Sequence, residues 1–348
     1  MTTITTTTRT RITITITITT MTMMDMTIEP GGRTGEHVTG NCSAGAPARR
    51  PGGARAGRGF AAVSVAALLA LAGCTPPDEP EGLHILAGFS PLEFLAAEIG
   101  GPEVTVTSLT ADGADPHSLE LSPVQVGEME SADLVIYLSG LQPATDEAVD
   151  MVAPAHVVDA EPVARAQLPA DDGPPNVDPD DPHFWLDPLR FAAAGHEVAT
   201  ELAALDPEGA ADYRARAQAL EADLMDLDGE FGAALAGCAG ATLVTSHEAF
   251  GYLADRYGLE QVGIAGVDPE VEPSPARMRE VAGVIADTDV LTIFFEARAS
   301  PRVVEALAEE LGVQVDVLDP MERGTGADYV EVMRANLEAL ERGLNCPG

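Results

Sequence analysis

The 348-residue chain contains no lysine; its 19 basic residues are all arginine and stand against 56 acids, for a formal net charge of −37. Seven of the arginines and three of the acids precede Cys74, so beyond it 12 arginines face 53 acids, a balance of −41. Such a surface repels a phosphate backbone, which excludes nucleic acid as a partner, and draws cations towards it. The excess is spread along the chain, so it describes a solvated, salt-tolerant surface and does not by itself mark a metal site. Aromatic residues make up 4% of the chain, with a single tryptophan, Trp185. No Gly-x-Ser-x-Gly elbow and no phosphate-cradling glycine loop occurs. His247-Glu248 opens like a His-Glu-x-x-His zinc protease motif, but Gly251 stands where the second histidine is required. With these signatures missing, the chain is not expected to be an enzyme.

Long apolar runs are also scarce. The uncharged stretch Phe60 to Ala72 follows Arg49, Arg50, Arg55 and Arg58 and is too short to span a bilayer as a permanent helix. Residues 49–74 therefore read as an export signal. The end of that signal, Leu71-Ala72-Gly73-Cys74, resembles the lipobox of bacterial lipoproteins. The resemblance implies lipidation at Cys74 and a membrane anchor, with an ordinary cleaved signal as the alternative. Residues 1–28 are a Thr/Ile/Met tract that alternates like one strand face without a turn or a partner strand. We leave 1–48 outside the fold, as an over-extended start or an unusual leader. Export implies an oxidising compartment. Cys238 and Cys346 either pair there, tying the C-terminus to the second lobe, or remain as unpaired buried thiols.

What remains after Cys74 alternates short apolar strands with helices. "LHILAGF", "VTVTSL" and "DLVIYLS" read as strands around the helices "PLEFLAAEIGG" and "SPVQVGEMESA", and residues 160–182, rich in Pro, Asp and Gly, read as an exposed loop. From Pro207 to Leu235 the chain runs helical with no proline after its first residue. Beyond it the strands "ATLVTS", "EQVGIAG", "VLTIFFE" and "VQVDVL" alternate with helices again. The expected fold class is α/β: two lobes, each a parallel sheet flanked by helices, joined by one long rigid helix. The lobes span residues 75–206 and 237–348, with 207–236 as the link.

Two Asp-Pro-His elements, Asp115-Pro116-His117 and Asp181-Pro182-His183, lie in the first lobe; His247 and Asp319 directly follow strands of the second. Strand ends of open parallel sheets face the ligand crevice, so His247 and Asp319 are expected to face one another across neighbouring strand ends. A cleft between the lobes would then gather three imidazoles and one carboxylate. That donor set suits Zn2+ first, with Mn2+ or Fe2+ possible. Asp115 and Asp181 are placed either to orient an imidazole N–H or to cap a turn. Glu296, at the end of "LTIFFE", is expected to face the cleft, with Arg298 as the expected hydrogen-bond donor, and ranks below Asp319. His37, His84, His156 and His196 have no comparable context.

The segments "ADPHSLELSPVQV", "DPHFWLDPLR", "TSHEAFGYLADRYGL", "EVEPSPARM", "IFFEARASP" and "VLDPM", in this order, resemble the metal-specific solute-binding proteins of ABC importers that serve zinc and manganese. The similarity runs from Leu83 to Leu344. It implies one metal ion between two lobes, bound by His117, His183, His247 and Asp319. His247 favours zinc, because manganese members tend to carry glutamate in that segment; the acidic stretch holding Asp171, Asp172, Asp178, Asp180 and Asp181 lacks the histidines that many zinc members have there. The implied role is an exported, lipid-anchored monomer, or a periplasmic one, that captures Zn2+ and hands it to a membrane permease with its cytoplasmic ATPase. Binding is expected to weaken below about pH 6, where imidazole takes up a proton. A zinc hydrolase and a surface adhesin stand as the alternatives from other classes.

Overall fold

The computed structural model describes residues 82–168, 176–296, 302–324 and 326–346. In the first lobe β1 (Leu83–Ala87), α1 (Ser90–Gly100), β2 (Val104–Ser108), α2 (Pro123–Ser131), β3 (Leu134–Tyr137), α3 (Pro143–Val152), β4 (Val157–Asp159) and α4 (Glu161–Arg165) follow in turn. Two long helices, α5 (Pro188–Leu205) and α6 (Ala210–Ala234), lead out of it. The second lobe contains β5 (Thr242–Thr245), α7 (Gly251–Tyr257), β6 (Glu260–Gly263), α8 (Pro275–Asp287), β7 (Thr292–Phe295), α9 (Arg302–Leu311), β8 (Gln314–Val317) and α10 (Tyr329–Gly343). Each lobe has a four-stranded, all-parallel sheet, in the orders β2-β1-β3-β4 and β6-β5-β7-β8. Both orders put the first strand inside the sheet, so the connections reverse direction there and open a crevice at the C-terminal strand ends.

The sequence expectation of two parallel α/β lobes joined by a long helix agrees with this architecture. Helix α6 buries Tyr213, Ala217, Leu220, Leu224, Leu227 and Phe231, a stripe spaced by three or four residues. Its near end is tied to the first lobe by Arg216, which donates to the carbonyls of Ile99 and Gly100 at the end of α1 and to Glu103. Its far end is tied to the second by Arg334, whose guanidinium makes two bonds to Glu230 (2.9 and 2.8 Å). Cys238, just past α6, is disulfide-bonded to Cys346.

Two features depart from the sequence expectation. Residues 160–182 are not simply an exposed loop, because α4 lies within them and buries Ala164, and Asp181 is itself buried. Asp178 and Asp180 are exposed, whereas Asp171 and Asp172 fall outside the described residues. Strand β7 also separates β5 from β8, so His247 and Asp319 do not sit on neighbouring strand ends. One continuous apolar core nonetheless runs beneath both lobes, and Trp185, Phe191 and Tyr329 belong to it.

Candidate metal centre

Seven Asp-Pro pairs occur in the chain, and each uses the same local device. The aspartate Oδ1 accepts from the backbone N–H two residues on, across a proline that has no N–H to offer. His117, Asp180, His183, Leu189, Glu208, Glu270 and Met321 are the seven donors. In the first lobe this turn presents His117 and His183 as the residue after the proline. In the second lobe His247 leaves the end of β5 on an irregular loop, four residues before α7 begins.

The three imidazoles converge on one carboxylate oxygen, Glu322 Oε1. His117 Nε2 lies 3.0 Å from it, His183 Nε2 2.5 Å and His247 Nε2 3.8 Å. Three of the four side chains expected to hold an ion are thus brought together, and Glu322 joins them. Asp319 does something else: its Oδ1 accepts from Met321 N (2.8 Å), its own N–H donates to Asn336 Oδ1, and its carbonyl accepts from Asn336 Nδ2. Asp319 is the turn-forming member of its Asp-Pro pair, as Asp115 and Asp181 are of theirs. The chain then passes through Met321 in the left-handed region (φ 61°), which costs an L residue on the order of 1 kcal/mol, and delivers Glu322 into the cleft.

The surrounding carboxylates fix the rings. Asp181 Oδ1 accepts from His183 Nδ1 at 2.7 Å, and Glu296 Oε1 accepts from His247 Nδ1 at 2.5 Å while also taking Ser246 Oγ. Each ring therefore turns its Nε2 to the centre. Glu296 reaches His247 because β7 lies directly beside β5. Asp115 takes the backbone N–H of His117, and its other oxygen meets the guanidinium of Arg323 from the opposite lobe. Arg298 lies outside the described residues, as does Cys74. Gly251 has a steric reason in place of a catalytic one: a Cβ there would come within 2.2 Å of Asp181 Oδ2. His84, His156 and His196 make contacts elsewhere, with Thr107, Glu201 and Glu221; His37 is outside the described residues.

The centre is buried: Glu322 and His183 are 0% exposed, His247 1% and Glu296 4%. Burial alone would lower the pKa of His183, but Glu322 and Asp181 raise it above the ordinary histidine value. For His247 burial again opposes the charge, and Glu296 with Glu322 overcomes it, pushing the ring up to about 10. Burial would raise Glu322, yet His183, helped by His117 and His247, holds it well below the usual carboxylate range. Even so, His247 Nε2 and Glu322 Oε2 are buried without a hydrogen-bond partner. Buried polar atoms are rarely left so, and both belong to side chains whose donor atoms cluster within 4.8 Å of one another.

Tetrahedral zinc with ligands about 2.0–2.1 Å away separates neighbouring donors by about 3.3 Å. The distances of 3.0, 2.5 and 3.8 Å from Glu322 Oε1 straddle that value, and the donors fit such an ion. A cavity of about 520 Å³ lined by His117, Glu161, Asp180, Asp181 and Asp268 opens beside the centre, and its carboxylates favour a cation over an anion. Trp185 is 0% exposed and lies 5.2 Å from His183, ring centre to ring centre. Its Nε1 donates to Pro320 O (2.7 Å), two residues before Glu322.

A family model described as ZnuA, "Zinc-uptake complex component A periplasmic", matches residues 85–343. The "Zinc-binding lipoprotein AdcA" of Streptococcus pneumoniae R6 is 30% identical over 298 residues, which cover 80% of this chain and 60% of that protein. This chain thus spans about three-fifths of that relative's length. The "High-affinity zinc uptake system protein ZnuA" of Bacillus subtilis 168 is 28% identical over 279 residues, covering 75% of this chain and 88% of the relative. Among solved structures, the laminin-binding protein Lmb of Streptococcus agalactiae, described as bifunctional "with adhesin and metal transporting activity", superposes with a TM-score of 0.67 at 32% identity, over 75% of this chain and 99% of that one. AdcAII of Streptococcus pneumoniae gives 0.67 at 30% identity, over 76% and 100%.

Proposed function

The chain belongs to the zinc-uptake complex component A periplasmic family, and from that premise we propose that it captures Zn2+ between its two lobes and delivers it to a membrane permease driven by a cytoplasmic ATPase. His117, His183 and His247 bind through Nε2 and Glu322 through Oε1. The carrying observation is the convergence of those three nitrogens, drawn from both lobes, on one buried carboxylate oxygen. Three imidazoles and one carboxylate favour zinc over Mn2+ or Fe2+, which take more oxygen. Four protein donors close a tetrahedron, as capture requires and hydrolysis does not. The protein acts outside the cytoplasm, lipid-anchored at Cys74; a relative carries the name lipoprotein, and no helix among the described residues is long and apolar enough to cross a membrane. The laminin-binding relative is described as both adhesin and metal transporter, so adhesion is compatible with capture.

Titrating the metal-free chain with Zn2+ and, separately, Mn2+ while following Trp185 fluorescence tests this reading. A saturable response at one zinc per chain, tighter than for manganese, is expected. Tighter manganese binding overturns the cargo, and no binding of either ion overturns capture.

A further inference from the structure

One short segment of the second lobe, Pro320 to Gly324, reaches across the cleft with Glu322. Pro320 O accepts from Trp185 Nε1, and Glu322 meets His117 and His183. Gly324 sits so close to the first lobe that a Cβ on it would lie 3.0 Å from Asp112 Oδ1. Between the last two, Arg323 pairs with Asp115. The side chain of Asp115 is 4% exposed and that of Arg323 24%, so the pair is shielded from the screening that makes surface ion pairs weak. Neither residue supplies a donor to the centre. Yet Asp115 is two residues from His117 and fixes its backbone N–H, and Arg323 is the immediate neighbour of Glu322.

We propose that Asp115 and Arg323 are positioning residues: their ion pair across the cleft locks His117 and Glu322 into one geometry and sets the rate at which the captured ion leaves. The inference rests on the proposed zinc centre for its ligands and on the ion pair itself for its mechanism. The pair joins the lobes without metal, so it preorganises the centre, and it must break before the cleft opens. Losing one member of a partly buried, hydrogen-bonded charge pair acts chiefly on dissociation. Asp115 serves both roles at once, with one oxygen on the His117 turn and the other on Arg323. An asparagine there keeps the first and removes the charge from the second.

The test uses the full chain and four variants: Asp115→Asn, Arg323→Met, the two combined, and Arg323→Lys. Zinc release is followed by stopped flow into excess EDTA, and the radius of gyration of each metal-free protein by small-angle scattering. Each neutralising single variant should release zinc about tenfold faster or more, with its zinc association rate nearly unchanged and its metal-free form expanded. The combined variant should be no faster than either single one, because both remove one interaction, and Arg323→Lys should recover part of the slow release. Release within twofold of the unaltered chain in both single variants, or accelerations that multiply in the combined one, would overturn the proposal. If the unaltered chain binds no zinc, the capture reading fails; the scattering comparison between the unaltered chain and Arg323→Met then still decides the latch, an unchanged radius overturning it.

Discussion

Asp319 and Glu322 stand three residues apart after the same strand, and strand-end logic alone favours whichever comes first. What separates them is the use of the Asp-Pro pair: in all seven instances the aspartate turns the chain, and in three of them a side chain one or two residues past the proline, His117, His183 or Glu322, meets the others in the cleft. Glu322 also needs Met321 in the left-handed region, a conformation that no residue-type preference announces for methionine. The imidazoles were legible because two of them follow the proline directly. Glu322→Gln is accordingly expected to weaken zinc binding at least about a hundredfold, above what loss of an orienting contact costs. Asp319→Asn, whose amide oxygen can still accept from Met321 N, should stay within a few-fold of the unaltered chain; competition against a chromogenic chelator compares the two. Protons matter at the same scale. Partnered carboxylates raise His183 and His247 above the ordinary value, His247 to about 10. In the metal-free protein that stabilisation is complete below about pH 6.5 and is lost as the pH rises towards 10. Glu322, held low, keeps its share until strong acid. Zinc needs neutral rings, so its affinity moves the other way and climbs with pH across this window, above the pH 6 limit expected for unperturbed histidines. Calorimetry at pH 7.5 in two buffers of different ionisation enthalpy should find at least one proton released per zinc; none released would contradict these shifts.

Elements with a clear period and caps were readable. Helix α2 carries a capping box between Ser122 and Gln125, and α6 shows its stripe plainly. Helix α5 gives a weaker signal in the sequence. It buries Phe191, Ala192, Ala194, Gly195, Val198, Ala199, Leu202 and Ala203, a broad face of small residues with no sharp polar contrast to set its period. Its closeness to α1 explains the composition, because a Cβ on Gly195 would lie 3.2 Å from Ile99 Cδ1. The order of β7 and β8 follows their burial: β7 (Thr292–Phe295) is buried inside the sheet, whereas β8, with Gln314 and Asp316, is mostly exposed at its edge. As the connector between lobes, α6 should respond as a core element: Leu224, 0% exposed, cut to alanine is expected to cost about 2–5 kcal/mol. Urea denaturation of the metal-free chain measures this, and a change under about 0.5 kcal/mol would argue that α6 is a loose tether.

For the molecule as a whole, the repeated strand-helix alternation on either side of one long helix made the two-lobe architecture readable, and the placement of histidines in both halves made a cleft between lobes readable with it. What the pattern could not supply is the covalent tie. Cys238 and Cys346, 108 residues apart, clamp the last helix of the second lobe to the end of α6. Closing a loop of that length restricts the unfolded chain by about 4–5 kcal/mol in the chain-entropy account. Reduction is therefore expected to lower the thermal midpoint clearly, without changing the stoichiometry of one zinc per chain, because neither cysteine is among the clustered donors. The most direct measurement is zinc K-edge X-ray absorption on the one-to-one complex of the unaltered chain. Four light-atom neighbours at about 2.0–2.1 Å, with the outer-shell scattering of three imidazoles, is the predicted result. Six oxygen-rich neighbours, or fewer than three imidazoles, would contradict the centre described for His117, His183, His247 and Glu322.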